Sequence, residues 1–395
     1  MSENNQWLLP EGVEELLPQQ AAHLERLRRQ LLDLFHGWGY ELVMPPVMEY
    51  LETLLVGRGD DLDLKTFKFT DQLNGRLMGV RADITPQIAR IDAHHLRREY
   101  PTRLCYAGIV LHTRADGHGA SREPMQVGAE LYGHAGVESD VEIVTLMVET
   151  LLITGIEEIH IDLGHVGIFR ELAAVAGLTK QQETLLFDVM QRKAKPEMNT
   201  IFDVWGLSDR WRQIFVSLVD LNGDVGVIER ARQVLQGTSD VVLQALDELQ
   251  QVATEVTQRL PNCPMHFDLA ELRGYHYKTG VVYAAFVPGH GGELARGGRY
   301  NQVGAQFGRA RPATGFSADL KTLIRVSAES LPDVNAILAP YDADSELLQL
   351  ISKLRAEGER VICSLPGQQG TAVEFGCDRK LIKDDHGRWL VVSLS

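Results

Sequence analysis

Residues 125–131 read Met-Gln-Val-Gly-Ala-Glu-Leu, a β-strand with two unlike faces. Side chains alternate along a strand, so Gln126, Gly128 and Glu130 share one face and Val127, Ala129 and Leu131 the other. A Gln and a Glu flanking a Gly make a polar floor with room above it, as an amino-acid pocket needs. The alternative is a solvated strand face.

Working outward, further β-rich stretches are expected at 40–44, 66–70, 77–81 and 103–111. Asn74-Gly75 lies between the second and third and signals a hairpin. A long amphipathic helix over 18–36 repeats Leu24, Leu27, Leu31, Leu32 and Phe35 at helical spacing, and Gly37 and Gly39 end it. A helix at 139–152 leads to a strand at 159–162, and 166–260 is almost wholly helical, the pattern of an inserted helical subdomain. Strands return at 265–269 and 280–286, and a helix follows at 318–326. Residues 329–333 read as a linker and 116–122 as a mobile loop. Beyond 335, strand patterns at 336–339, 360–364 and 389–394 and a helix at 345–356 form a small α/β appendage. Strands joined by hairpins, with helices on one side, argue for an α+β fold with an antiparallel sheet. The expected domains are 1–330, with the helical insertion, and 335–395.

Composition narrows the function. The chain has 395 residues with 39 Lys+Arg against 54 Asp+Glu, a net charge of −15. An acidic balance makes nucleic acid the less favoured partner. The 4 Cys are scattered, with no CxxC pair, which excludes a disulfide scaffold or zinc ribbon and fits a reducing compartment. The polar start lacks a signal-peptide pattern, and the most apolar stretch, 143–156, is too short for a bilayer. A cytoplasmic protein without membrane contact is expected.

Three other segments concentrate polar groups. In Arg81-Ala82-Asp83-Ile84-Thr85-Pro86, Asp83 and Thr85 point the same way at a strand exit. A carboxylate beside a hydroxyl suits an ammonium ligand, although either residue could instead cap a helix over 86–100. In Leu272-Arg273-Gly274-Tyr275-His276-Tyr277, an Arg on a Gly turn beside aromatics suits a carboxylate, or serves surface pairing and core. Gly297-Gly298-Arg299-Tyr300, followed by Gly304, Gly308 and Gly315, matches neither a Walker nor a Rossmann spacing. His94-His95 and the His160, Asp162, His165 group read as structural, so no metal site is expected.

These segments, in this order, resemble the class II aminoacyl-tRNA synthetase catalytic fold, and specifically the histidyl-tRNA synthetase family. The likeness runs over roughly residues 7–326. Arg81–Thr85 is similar to the family's Arg-Pro-Glu-Gly-Thr signature. The stretch 106–133 resembles its motif 2, Arg273–Lys278 its histidine-specific motif, and Gly297–Tyr300 its Gly-Gly-Arg-Tyr motif. Residues 315–322 resemble motif 3, and 18–46 motif 1, which in the family builds the dimer interface. The resemblance implies that Asp83 and Thr85 hold an α-ammonium, with Gln126 nearby. It places Glu130 against an imidazole, Arg273 near the carboxylate and Tyr277 as a wall.

The departures fall on the ATP grip. His112 stands where the family has its motif 2 Arg, Arg114 where it has a Glu, Asp319 where it has a Gly, and Thr322 where it has the motif 3 Arg. Charge-assisted bonds contribute about 1.5–3 kcal/mol each, so losing two weakens ATP binding about a hundredfold at the low end. On the histidine side, Lys278 replaces a Tyr and His276 an Asp. Only about 60 residues follow 335, short of an anticodon-binding domain. This combination resembles the regulatory subunits of ATP phosphoribosyltransferase. The implied protein is non-catalytic, has no cofactor and transmits feedback inhibition by L-histidine in histidine biosynthesis. It pairs with a short catalytic subunit in a hetero-octamer built on the class II homodimer. The alternatives are a class II enzyme that activates or ligates a small amino acid, and a stand-alone RNA-binding or sensor protein.

Overall fold

The computed structural model describes residues 7–55, 60–115, 121–271, 274, 275, 277–327 and 335–394. The loop expected at 116–122 falls mostly outside them, as does the linker at 329–333. Residues 1–15 with 24–329 form one unit, and residues 16–23 with 330–395 a second.

Among the described residues, the first unit is built on a nine-stranded sheet. Its order is Glu41–Leu42, Thr102–Ile109, Met125–Tyr132, Ala313–Asp319, Ala295–Arg299, Val281–Phe286, His160–His165, Met265–Asp268 and Asn222–Gly223. Neighbours are antiparallel except Glu41–Leu42 with Thr102–Ile109 and His160–His165 with Met265–Asp268. The α+β class expected from the hairpin pattern is the one observed. The alternation in 125–131 sorts the strand as expected. Val127, Ala129 and Leu131 are buried beneath helices, and Glu130 stands on the opposite face between Leu104 and Gly315.

The helical layer explains why one face is apolar. Phe35, in the helix Pro18–Gly37, meets Phe316 edge-on at 6.1 Å. The helix Val137–Leu152 packs on Ala313–Asp319, and Asp240–Arg259 packs in turn on Val137–Leu152. Through this layer Arg299 donates from Nε and Nη2 to Asp140 Oδ2 at 2.9 and 2.7 Å, with both side chains almost fully buried. Within 166–260, six helices are interrupted by the strand Asn222–Gly223, which joins the sheet edge. Val166–Val175 and Asp240–Arg259 belong to the sheet-covering layer, and the helices between them bury Leu186, Met190, Phe202 and Phe215, the last also meeting Phe169 edge-on at 6.1 Å.

Several expectations are corrected. Ala295–Arg299 and Ala313–Asp319 are central strands, where the sequence analysis assigned no element to the glycine cluster. Gly297 lies opposite Tyr283 and Gly315 opposite Glu130, and a Cβ at either would collide with that side chain. Glycine here makes room for a large neighbour rather than a turn. The helix expected over 86–100 is α-helical only at Thr85–Arg90. It widens to a π-turn at Ile91–Leu96 and stops at Arg97, whose φ is 50°. The helix expected from 318 begins at Leu320, because Ala318 and Asp319 complete a strand. The strand expected at 40–44 contracts to Glu41–Leu42. The hairpin forms between Phe67–Thr70 and Leu77–Val80, with Gly75 at φ 74°.

In the second unit, Val361–Cys363, Ile337–Ala339, Arg379–Lys383 and Trp389–Ser393 form a four-stranded sheet in that order. The third of these strands was not expected from the sequence. The helix Ser345–Ala356 packs Leu347 and Ile351 onto Ile337, Ala339, Val361 and Leu381. Asp344 ties helix to sheet: it caps Glu346 N and accepts from Lys383 Nζ at 2.6 Å and Trp389 Nε1 at 3.0 Å. Among the described residues, no helix is long and apolar enough to cross a membrane.

Candidate amino-acid site

Glu130 is the centre of the site. Its strand places it on the sheet face away from the helical layer, with 1% of its surface exposed. Thr85 Oγ1 donates to Glu130 Oε1 at 3.1 Å and Tyr106 OH to the same oxygen at 3.2 Å. Tyr300 OH donates to Oε2, and the hydroxyls of Tyr300 and Tyr132 lie 3.1 Å apart. Three hydroxyl donors therefore converge on one buried carboxylate. Burial pushes the Glu130 carboxyl up to about 7, while the Tyr300 bond and the Lys278 charge pull it down. At neutral pH it stands between proton acceptor and proton donor.

Tyr106 fits beside Glu130 because the residue opposite it is Gly128, where a Cβ would collide with the tyrosine ring. The polar floor is thus occupied by an aromatic from the neighbouring strand.

A second cluster adjoins the first. Gln126 Oε1 accepts from Ile84 N at 2.9 Å and its Nε2 donates to Asp83 Oδ1 at 3.0 Å. Thr85 N donates to the same Asp83 oxygen at 3.1 Å. The amide of Gln126 is spent in fixing the backbone and carboxylate of the 83–85 turn. The two polar faces, 83/85 and 126/130, meet as Asp83 with Gln126 and Thr85 with Glu130. Neither Asp83 nor Thr85 is the N-cap of Thr85–Arg90; that position is Ile84.

Tyr277 joins through its ring, 4.9 Å from that of Tyr300. Lys278 Nζ lies 5.6 and 5.5 Å from the centres of those two rings and donates to Gly298 O at 3.3 Å. Arg273 and His276 lie outside the described residues. Of the six candidate residues, Asp83, Thr85, Gln126, Glu130 and Tyr277 come together. Tyr106, Tyr132, Tyr300 and Lys278 are additions that the sequence analysis did not assign to the site.

Three of the four positions of the ATP grip, His112, Asp319 and Thr322, are internally satisfied. Asp319 Oδ1 accepts from Met125 N at 3.0 Å and Lys321 N at 3.1 Å, and Oδ2 accepts from Thr322 Oγ1 at 2.7 Å. His112 Nε2 donates to Ala82 O at 2.9 Å. Groups that would face a triphosphate instead bond to one another and to the backbone. Among the described residues, no group of three His, Cys, Asp or Glu is placed to hold a metal ion. His165 bonds Glu248 at 3.2 Å, and Asp162 lies 3.5 Å from His266.

Over its full length the chain is 58% identical to an ATP phosphoribosyltransferase regulatory subunit of Thioalkalivibrio sulfidiphilus, covering 100% of both chains. The chain belongs to the ATP phosphoribosyltransferase regulatory subunit family. A second regulatory subunit, from Alkalilimnicola ehrlichii, is 57% identical over 98% of each chain. The histidyl-tRNA synthetase family model matches residues 12–323, and the ATP phosphoribosyltransferase subunit HisZ C-terminal domain matches 334–392. A crystal structure titled as an ATP phosphoribosyltransferase regulatory subunit/histidyl-tRNA synthetase from Bacillus halodurans has a TM-score of 0.84. It is 28% identical and covers 96% of this chain and 99% of its own. A histidyl-tRNA synthetase from Nostoc, at 19% identity and a TM-score of 0.76, covers 98% of this chain and 97% of its own and shares the fold. Members of the regulatory-subunit family are non-catalytic chains, in keeping with an Asp319 and Thr322 that bond each other.

Proposed function

We propose that this regulatory subunit senses L-histidine in the Asp83–Gln126–Glu130 site and transmits its occupancy to a short-form catalytic subunit of ATP phosphoribosyltransferase. The observation that carries this reading is the buried Glu130 carboxylate, held by Thr85, Tyr106 and Tyr300, beside an ATP grip that has closed on itself. A carboxyl group that titrates near neutrality can donate when protonated and accept when ionised, and an imidazole ring does the same. Asp83, fixed by Gln126, is the counter-charge for the α-ammonium. The rings of Tyr277 and Tyr300 wall the side chain, and Arg273 pairs with the ligand carboxylate. Regulation then requires that histidine favour one assembly state over another.

The proposed assembly is a hetero-octamer built on homodimers in the cytoplasm. Support for the homodimer comes from the open sheet edge at Glu41–Leu42, where Leu42, Met44, Val47 and Met48 are exposed together. Calorimetric titration of the purified chain with L-histidine, then with ATP, tests the reading. Histidine should bind and ATP should not, and Glu130→Ala or Asp83→Ala should weaken histidine at least tenfold. Unchanged histidine affinity in both variants would place the sensor elsewhere. ATP binding would revive an amino-acid-activating enzyme.

A further inference from the structure

The loop that carries Tyr277 has a second attachment, on the helical side. Tyr275 is 3% exposed and points away from the site, into the helices. Its hydroxyl donates to Glu183 Oε1 in the helix Lys180–Gln191. Its ring stacks on Phe187 at 4.9 Å and meets Phe169 edge-on at 5.4 Å. Arg170, from the helix Val166–Val175, lies 4.8 Å over the same ring. Its Nη2 donates to Tyr275 O at 2.8 Å and Lys278 O at 3.1 Å, so one guanidinium grips the loop on both sides of Tyr277.

The turn between these grips is short. Gly274 has a φ of 74°, and its carbonyl accepts from Tyr277 N at 2.8 Å and Lys278 N at 2.7 Å. Tyr275 and Tyr277 leave this turn in different directions. The first enters the helices, and the second stacks on Tyr300, which bonds Glu130. A displacement of Lys180–Gln191 that carried Glu183 with it would draw Tyr275, and so reposition Tyr277 over the ligand position. Apart from the backbone between Tyr275 and Tyr277, each link is a hydrogen bond or a ring contact.

We propose that Glu183 and Arg170 are positioning residues: they hold the Tyr275–Lys278 turn so that the amino-acid site and the helix Lys180–Gln191 respond to each other. The proposal rests on the reading of the Glu130 site as a histidine site. By reciprocity, a ligand that needs Tyr277 in place must also steady the helix that places it. Phosphate-gripping and metal chemistry play no part in this link; it acts through the position of two tyrosines on one turn.

Hydrogen exchange of the full chain with and without saturating L-histidine, paired with calorimetric affinities, tests the link. In the wild-type chain, histidine should slow exchange in 180–191 at least threefold. Tyr275→Phe, Glu183→Ala and Arg170→Lys should each weaken histidine about fivefold or more and remove that slowing. Glu183→Gln, which still accepts a bond from Tyr275, should restore both, and Thr184→Ala on the exposed face of the same helix should change neither. Histidine binding with no response in 180–191, or wild-type affinity in Tyr275→Phe, would overturn the proposal while leaving the site reading intact. Failure of the wild-type chain to bind L-histidine would overturn the site reading and this link with it.

Discussion

Glu130 shows how a sheet tunes one carboxyl. Its ordinary value near 4.5 is raised to about 7 by burial, against the pull of Tyr300, Lys278 and Thr85. A folded-state value above the unfolded one means that the native chain binds the extra proton between pH 4.5 and 7. The stability this contributes is fully present below about 4.5 and is lost as the pH rises through 7. Glu130→Gln keeps the shape and removes the titration. Thermal unfolding from pH 5 to 8 should therefore show the variant gaining on the wild type as pH rises, by up to a few kcal/mol. Parallel curves would mean that Glu130 does not titrate in this window. Of this site, the face bearing Gln126 and Glu130 was legible from the period of two alone. The hydroxyls of Tyr106 and Tyr300 were not, because they reach Glu130 across separations of 24 and 170 residues. The signal that could have found Tyr106 is Gly128, since a strand glycine facing the polar side invites a ring from next door.

At the scale of elements, a buried ion pair helps lock the sheet to its helical cover. Arg299 ends a strand and Asp140 sits in Val137–Leu152, and neither side chain has meaningful access to water. Burial pushes the Asp140 carboxyl up, and Arg299, the Thr314 hydroxyl and His165 offset this. Arg299 Nη2 also donates to Gly136 O and Ser139 Oγ, both at 2.9 Å, so it organises the start of that helix. Asp140→Ala would leave a buried guanidinium unpaired and should cost about 3–5 kcal/mol in denaturant unfolding. The double change Asp140→Leu with Arg299→Met should cost less than the single one. A single change within 1 kcal/mol of wild type would remove the pair from the list of stabilising contacts. The sequence pointed to Arg299 only as part of a glycine cluster. Its strand was hidden because the glycines that accommodate Tyr283 and Glu130 look, in one dimension, like turns.

For the whole molecule, the two units carry separate cores, one under the nine-stranded sheet and one around Leu347, Ile351 and Leu381. The smaller, residues 16–23 with 330–395, has 74 residues, a size at which a single core is marginal. Scanning calorimetry should therefore resolve two transitions. Saturating L-histidine should raise only the one that reports the Glu130 unit, by about 2.7 kcal/mol at a hundred times Kd. A rise in both would show that the units unfold together. The long helices of the first unit were readable because each has an apolar stripe. The second unit lost one strand, Arg379–Lys383, whose alternation is masked by three exposed or half-exposed cationic side chains.

The self-bonded Asp319 also bears on how the site can change. Its carboxylate receives three donors, from Met125, Lys321 and Thr322. Substituting Gly at 319 alone would strand those donors, and substituting Arg at 322 alone would put a guanidinium beside a carboxylate that captures it. Either single step towards a nucleotide grip is worse than standing still. A nucleotide grip at 319 and 322 therefore demands both changes at once, because each alone breaks or captures a bond that the other residue makes.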